Sequence, residues 1–159
     1  MASEECMEAE GSYILILHLK EGKVIQVGRI GKFKFPMGYY AYVGSAFGPG
    51  GLKGRLLHHF NPTYKPHWHI DYLRKEAEPE EAWITEQKDQ REHLWASMLQ
   101  QLNSAAVPAP EFGCSDCKCT SHLFHFKKRP LLKAFNKLIE TRFPQDEQIR
   151  KFLFRDSSV

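Results

Sequence analysis

The chain has 159 residues, of which 42% are hydrophobic and 26% are charged, a composition typical of one soluble globular domain. The net charge of +3 is too small to indicate a polyanionic partner by itself. The sequence contains no apolar run of about eighteen residues, so we expect no membrane-spanning helix and no membrane partner.

Cysteine usage and the N-terminal sequence predict a cytoplasmic protein. Three of the four cysteines lie together in CSDCKC, which is not the spacing of a secreted disulfide framework. The first ten residues, MASEECMEAE, are acidic and lack the apolar stretch of a secretory signal. We therefore expect a reducing compartment, and we interpret residues 1–10 as a disordered acidic tail.

Basic residues are unevenly distributed along the chain. The segment from Lys20 to Arg55 holds seven basic residues and one acid, and a second basic group follows residue 126. Acids concentrate in the tail and between Glu76 and Glu92. This segregation permits a positive face toward phosphate, but lysines that only solvate the surface give the same pattern.

Residues 11–126 are predicted to form the domain, and it begins with three strands. Their segments are rich in β-formers and bounded by turn signals, and they read SYILILHL, VIQVGRI and GYYAYVGS. We expect the first two strands to form a hairpin through KEGK. The segment FGPGG predicts a loop, and LKGRLLHHF predicts a short helix with Leu52 and Leu56 directed inward.

The second half of the chain alternates strands with helices. HWHIDYL, AWIT and HLFHF are predicted strands. KDQREHLWASMLQQL predicts a helix with Leu94, Trp95, Met98, Leu99 and Leu102 on its core stripe. PLLKAFNKLIETRF predicts another helix, which begins at Pro130. This helix belongs to a basic helical extension, residues 127–159, that we expect to pack on the domain. The pattern predicts an α+β fold, in which a small antiparallel or mixed sheet is flanked by helices.

The segment from Gly38 to Phe60 combines aromatic hydroxyls with basic side chains. Tyr40 and Tyr42 share one face of their strand, because side chains alternate along a strand. Arg55 and His59 are four residues apart and share one side of the predicted helix, beside its apolar stripe. A guanidinium there needs an anionic partner, since burying an unpaired charge is costly. A phosphate and a carboxylate are both possible partners.

Glu92 is the acidic counterpart of Arg55. It lies three residues before Trp95 and seven before Leu99, on the buried flank of its predicted helix. A carboxylate in that position is expected either to pair with an arginine or to bind a metal. The spacing alone leaves both interpretations open.

Together these residues resemble the GIY-YIG nuclease superfamily. Its domains carry the tripeptides Gly-Ile-Tyr and Tyr-Ile-Gly on two strands, an arginine and a histidine on a helix, and a metal-binding glutamate on a later helix. The matching residues are Gly11-Ser12-Tyr13, Tyr42-Val43-Gly44, Arg55, His59 and Glu92. The resemblance is closest to a branch of small proteins that share YVGSA, GPGGL, HWHIDYL and GCSDCxCxSHLF. It covers roughly residues 11–126.

The resemblance implies a divalent-metal-dependent endonuclease acting on nucleic acid, with DNA as the expected partner. Glu92 would hold magnesium or manganese, Tyr13 would act as general base toward water, and Arg55 would stabilise charge on the phosphorus. Tyr42 and His59 would hydrogen-bond the phosphate or order the water. A phenol is a weak base at neutral pH, so the ion and Arg55 must help to lower its pKa.

The distance between the two tripeptides leaves open which tyrosine takes the role of the tyrosine in the first tripeptide. Residues 14–41, 28 in all, separate them, so Tyr39 or Tyr40 competes with Tyr13 for that role. The candidate substrate-binding residues are Tyr40, Ser45, Lys53, His67, His69 and Asp71. In the predicted strand HWHIDYL, the last three share one face, which indicates phosphate contact, a second metal shell or a polar face supporting the sheet.

Cys114, Cys117, Cys119 and His122 form the motif Cys-x-x-Cys-x-Cys-x-x-His. The first spacing suits zinc, whereas Cys117 and Cys119, one residue apart, suit it less well. A structural zinc would fasten the loop after the Glu92 helix to the next strand. Small buried thiols or a redox pair are the alternatives.

The sequence therefore predicts a single α+β domain of GIY-YIG type that hydrolyses phosphodiester bonds with a divalent cation. Two other functions stay open. One is a non-catalytic nucleic-acid-binding module of the same fold. The other is a zinc-stabilised adaptor with protein partners.

Overall fold

The computed structural model describes residues 9–61, 65–102, 104–114 and 119–154. In these ranges the strands are β1 (Gly11–Leu19), β2 (Lys23–Val27), β3 (Gly31–Phe35), β4 (Gly38–Ala46), β5 (Glu78–Thr85), β6 (Leu123–Phe126) and β7 (Arg150–Leu153). The helices are α1 (Gly51–Phe60), α2 (His69–Arg74), α3 (Glu92–Leu99) and α4 (Leu132–Arg142). Most of the predicted acidic tail, residues 1–8, lies outside the described residues, as does Cys117.

The main sheet has five strands in the order β6-β4-β1-β5-β7, and every neighbouring pair is antiparallel. A separate two-stranded sheet pairs β2 with β3. The predicted α+β class is confirmed. No helix in the described part of the chain is long and apolar enough to cross a bilayer.

Strand β1 lies at the centre of the sheet and is buried along most of its length. Leu15 and Leu17 enter one hydrophobic cluster, and Ile14 and Ile16 enter another, because successive side chains point to opposite faces. A strand covered on both faces reads as a continuous apolar run. This explains why SYILILHL lacks polar alternation.

Helices cover both faces of the main sheet. Leu52 and Leu56 of α1 and Ile70 and Leu73 of α2 belong to the first cluster, which we call the tyrosine-side core because it contains Tyr13, Tyr40 and Tyr42. The opposite core contains residues of α3 and α4, namely Trp95, Ala96, Met98, Leu99, Phe135 and Ile139. The sheet is therefore the middle of three layers.

The predicted hairpin between the first two strands is wrong. Strand β2 pairs with β3, a strand that the sequence pattern did not identify. Both edges of β1 are already occupied, by β4 and β5, so β2 has no place in the main sheet. Its ladder forms instead with the next segment, through a turn in which Gly28 has a positive φ of 49°.

The prediction of a strand at HWHIDYL is also wrong, because α2 occupies His69–Arg74. The Asp71 carboxylate accepts the backbone N–H groups of His67 (2.8 Å) and Trp68 (2.9 Å), which caps the first turn of the helix. Ile70 and Leu73, three residues apart, then face the core together. His67, His69 and Asp71 therefore do not line one face of a strand.

Further elements differ from the prediction. Helix α3 begins at Glu92, where the preceding N–H of Arg91 donates to Ser12 Oγ of β1 at 3.3 Å. Helix α4 begins at Leu132, two residues after Pro130. The unpredicted strand β7 pairs with β5, so the C-terminal segment contributes an edge strand to the main sheet.

Gly44 allows Tyr13 to lie flat across the neighbouring strand. The two residues are register partners in β4 and β1. A Cβ atom at position 44 would lie 2.5 Å from both the Cζ and the hydroxyl oxygen of Tyr13. Glycine at position 44 is thus required by the position of the Tyr13 ring.

Replacing Gly44 by alanine is expected to destabilise the fold. The added methyl must displace the buried Tyr13 ring, so the free energy of unfolding should fall by about 1–3 kcal/mol, as measured by urea denaturation. Gly54→Ala is the matched control, since its Cβ meets nothing closer than Pro49 O at 3.9 Å. In the interior of α1, alanine should stabilise by up to about 1 kcal/mol. Equal effects at the two positions would contradict the packing argument.

Candidate active site

A buried tyrosine and histidine meet between β1 and α1. The Tyr13 hydroxyl lies 2.7 Å from Nε2 of His59, and both side chains are almost fully inaccessible, at 3% and 0%. The Tyr42 ring packs beside both, with ring centroids 6.5 Å from Tyr13 and 6.1 Å from His59. The structure therefore brings together three of the predicted catalytic residues.

Burial keeps this pair uncharged at neutral pH. It raises the pKa of Tyr13 well above its usual value, Tyr42 and Glu92 raise it further, and Arg55 opposes them. Burial lowers the pKa of His59 to about 3. Nδ1 of His59 is buried and has no hydrogen-bond partner among the described residues. A neutral phenol and a neutral imidazole thus share one hydrogen bond.

Arg55 stacks on an indole ring. Its Cζ lies 4.5 Å from the ring centroid of Trp68, a cation–π contact. Within the described residues, no carboxylate lies within ion-pair distance of this half-buried guanidinium. A phosphate and a carboxylate were the two partners considered for Arg55. The described residues provide no carboxylate partner. Trp68 itself is partly buried and packs against the tyrosine-side core.

The C-terminal half of α1 is braced by α2. His58 Nε2 lies 2.9 Å from Asp71 Oδ1. The Arg74 guanidinium donates to the carbonyl oxygens of His59 at 2.7 Å and Phe60 at 3.0 Å, two acceptors left open at the end of the helix. The His58–Asp71 contact and the Arg74 bonds fix α1, and with it Arg55 and His59. Asp71, predicted to contact substrate, has its carboxylate engaged in this brace.

Glu92 lies at the start of α3 and contacts a histidine. Its Oε1 is 3.1 Å from Nδ1 of His122, and 21% of its side chain is exposed. Burial alone would raise the pKa of Glu92, but its contact with His122, together with His93 and Ser45 nearby, holds the pKa below its usual value. Arginine, one of the two partners considered for Glu92, does not pair with it in the described part of the chain. An ionised, partly exposed carboxylate remains beside the two tyrosines.

The other tyrosines considered for the first role have different partners. The Tyr40 hydroxyl donates to the Pro36 carbonyl, and its ring packs on Phe35 with centroids 5.9 Å apart. The Tyr39 ring stacks on His18 at 4.5 Å. Of the three tyrosines considered, it is Tyr13 that bonds to His59.

The remaining substrate-binding candidates lie around the site with different exposure. Lys53 is half-buried on α1 next to Leu52, and His67 is exposed just before α2. His69 accepts the backbone N–H of Gly113 through Nδ1 at 2.9 Å, which joins α2 to the loop before β6. The structure thus gives His69 a bracing contact and leaves Lys53 and His67 near the surface.

The described members of the cysteine motif, Cys114, Cys119 and His122, have different surroundings. The Cys114 thiol lies 3.6 Å from the Phe112 carbonyl oxygen. Cys119 and His122 instead form a group with His93, in which the three potential ligand atoms all lie within 4.8 Å of one another. His93 was missed by sequence reasoning, because a histidine on the exposed side of a helix carries no spacing signal.

The neutral state of His59 predicts a pH-dependent stability. Its pKa is about 3 in the folded chain against 6.5 for an ordinary histidine. Between those values the unfolded chain binds a proton that the folded chain does not, so this group destabilises the fold as pH falls through the window. The destabilisation is absent well above about pH 6.5 and should reach roughly 2.5 kcal/mol by about pH 4.5.

Urea denaturation of the wild type and His59→Gln at both pH values tests this. The wild type should lose roughly 2.5 kcal/mol more than the variant between about pH 7 and pH 4.5, because other titrating groups are common to both proteins. A parallel loss in the two proteins would show that His59 titrates normally in the folded state.

A comparison with known proteins places the chain in a family. No curated protein and no solved structure matches it. The sequence model of one family, described as a domain of unknown function, DUF123, matches residues 12–143. That range includes the tyrosines, Arg55, His59, Glu92 and the cysteine motif, and it covers most of the chain. The chain therefore belongs to the DUF123 family.

Proposed function

We propose that the protein is an endonuclease of the GIY-YIG superfamily that hydrolyses phosphodiester bonds in DNA with magnesium or manganese. The observation that carries the proposal is the environment of the Arg55 guanidinium. It is oriented by Trp68, has no carboxylate partner in the described residues, and acts electrostatically on both Tyr13 and Tyr42. A half-buried cation of this kind is suited to bind an anion such as phosphate.

Arg55 would hold the scissile phosphate and stabilise the charge that develops on it. Its position on the braced helix α1 reduces the entropy lost on binding. Its fork of N–H donors matches two phosphate oxygens. Tyr42, whose pKa is raised by burial, stays protonated and can donate a hydrogen bond to a phosphate oxygen.

Tyr13 and His59 would take the proton from the attacking water. In the tautomer where Nε2 accepts, Tyr13 receives the proton of water as its own proton moves to His59. The 2.7 Å contact supplies the path. No free phenolate then forms on Tyr13, where burial disfavours it. The anionic phosphate compensates the charge of the imidazolium that forms on His59.

Glu92 would hold the divalent ion. Magnesium in such sites is bound by one or two carboxylates together with substrate phosphate oxygens, and an ionised, partly exposed carboxylate fits that requirement. When bound, the ion polarises a phosphate oxygen. Ser45 and His122 lie beside the carboxylate, with His122 Nδ1 at 3.1 Å from Oε1, and would help to position it.

The surface charge is compatible with a nucleic-acid backbone. Lys32 and Lys34 are exposed on β3 and, being two residues apart on a strand, share one face. Lys127 and Lys128 are exposed after β6. Contacts of this kind are not sequence-specific and weaken as salt rises, so binding of the metal-free protein should be salt-dependent.

The test is a cleavage screen with the purified chain. Single-stranded, duplex, flapped and junction DNA, with matching RNAs, are incubated with magnesium and then with manganese. We expect ion-dependent cleavage of at least one DNA structure. Salt-dependent binding without cleavage of any substrate would indicate the non-catalytic module, and absence of both would contradict a nucleic-acid function.

Glu92→Gln should separate cleavage from folding. The amide retains the shape of the side chain and removes the charge that attracts the cation, so single-turnover cleavage should fall about 100-fold or more while metal-free binding persists. Glu140→Gln, an exposed change on α4, is the matched control and should cleave normally. If Glu92→Gln lowers the melting temperature but leaves the cleavage rate of the folded fraction intact, its role is structural.

Arg55→Ala should impair both cleavage and binding, because it removes a phosphate contact that acts in both steps. We expect a loss of about 100-fold or more in cleavage and a measurable rise in the Kd for DNA. Arg142→Ala, on the exposed surface of α4, serves as the control for lost positive charge. Equal effects of the two variants would mean that Arg55 contributes only general electrostatic attraction.

A further inference from the structure

A second group of ligand-type side chains lies next to Glu92. His93 follows it on α3, and Cys119 and His122 lie in the segment that leads into β6. One potential ligand atom from each lies within 4.8 Å of the others, and Cys119 Sγ is 3.5 Å from His93 Nδ1. The nuclease chemistry proposed above uses neither His93 nor Cys119.

The separations suit a tetrahedral ion. Zinc–sulfur and zinc–nitrogen bonds of about 2.3 Å and 2.0 Å at a tetrahedral angle place the two ligand atoms roughly 3.5 Å apart. The sulfur and nitrogen of Cys119 and His93 already have that separation. The ligand atom of His122 lies within 4.8 Å of both and would have to approach them to complete a three-ligand set.

The donor types exclude magnesium as the preferred ion. Magnesium and manganese select oxygen ligands, whereas a thiolate with two imidazoles suits zinc and related transition metals. The group is therefore chemically distinct from the carboxylate of Glu92. The Cys114 thiol, beside the Phe112 carbonyl, is not a member of the group.

His122 provides an independent indication of a metal. Its ring is buried, with 1% of the side chain exposed, and Nδ1 lies 3.1 Å from Glu92 Oε1. Histidine ligands commonly donate one ring N–H to a carboxylate while the other nitrogen binds the metal. With Nδ1 facing Glu92, Nε2 is the nitrogen that would bind the ion.

We propose that His93, Cys119 and His122 bind one zinc ion, with a coordination position left for a further ligand. The ion joins the start of α3 to the segment before β6 and, through His122, holds the Glu92 carboxylate in place. Zinc binding itself does not depend on the proposed nuclease function.

The experiment is elemental analysis of the full chain purified without chelator, followed by replacement of the metal with cobalt. We expect about one zinc per chain, and a thiolate-to-cobalt charge-transfer band in the cobalt form, which a site without a cysteine ligand does not give. His93→Ala and Cys119→Ser should each weaken zinc binding by more than about tenfold. The band should disappear in Cys119→Ser.

Cys114→Ser is the matched control, since it removes a neighbouring thiol outside the group. It should keep the zinc and the cobalt band. Loss of zinc in this control with retention in His93→Ala would overturn the proposed ligands, and a folded wild type that binds neither zinc nor cobalt would overturn the site. Because His93 is exposed, its variant should fold, which a thermal melt verifies.

Arg55→Ala distinguishes the two proposals. It should keep the full zinc content, because Arg55 is not among the proposed ligands, while losing cleavage. Zinc binding can therefore fail without affecting the nuclease proposal, and the reverse also holds. The measurement of zinc needs no nucleic acid.

Discussion

The hydrogen bond between Tyr13 and His59 joins the central strand to helix α1 in the interior of the protein. A polar contact there is costly unless both groups are satisfied, and one nitrogen of His59 has no partner in the described residues. An apolar pair of similar volume would fill the same space without that cost. The structure thus accepts a local loss of stability at the place where the chemistry is proposed to occur.

Several surrounding features exist to hold that contact. Gly44 makes room for the Tyr13 ring, and Arg74 bonds to the carbonyl of His59 itself. Asp71 caps α2 and contacts His58, so it links the two helices over the tyrosine-side core. A site assembled on strands and braced helices keeps its geometry better than one carried by loops.

The sequence was sufficient to predict those parts of the molecule in which local pattern and tertiary context agree. β1, β4 and α1 carry clear apolar patterns, so they and the tyrosine, arginine and histidine on them could be identified. The period at HWHIDYL was misread, because Trp68, Ile70 and Tyr72 alternate as in a strand while Ile70 and Leu73 also fit a helix. The capping contacts of Asp71 that decide between the two are visible only in three dimensions.

The pairing of β2 with β3 depends on which edges of β1 are free, and the contribution of His93 depends on the position of Cys119, so neither carries a local signal.

The adjacent residues Glu92 and His93 explain how two different kinds of site can share one helix end. Successive side chains on a helix point about 100° apart, so Glu92 reaches Ser45 and His122 while His93 reaches Cys119. His122 contacts Glu92 and also belongs to the group of His93 and Cys119, and its backbone carbonyl accepts the N–H of Val43 at 2.9 Å. Since Val43 lies between Tyr42 and Gly44, the same short segment that presents the tyrosine also fixes the histidine. A change in the group of His93, Cys119 and His122 would therefore act on the Glu92 carboxylate through the His122 ring, with no movement of the sheet required.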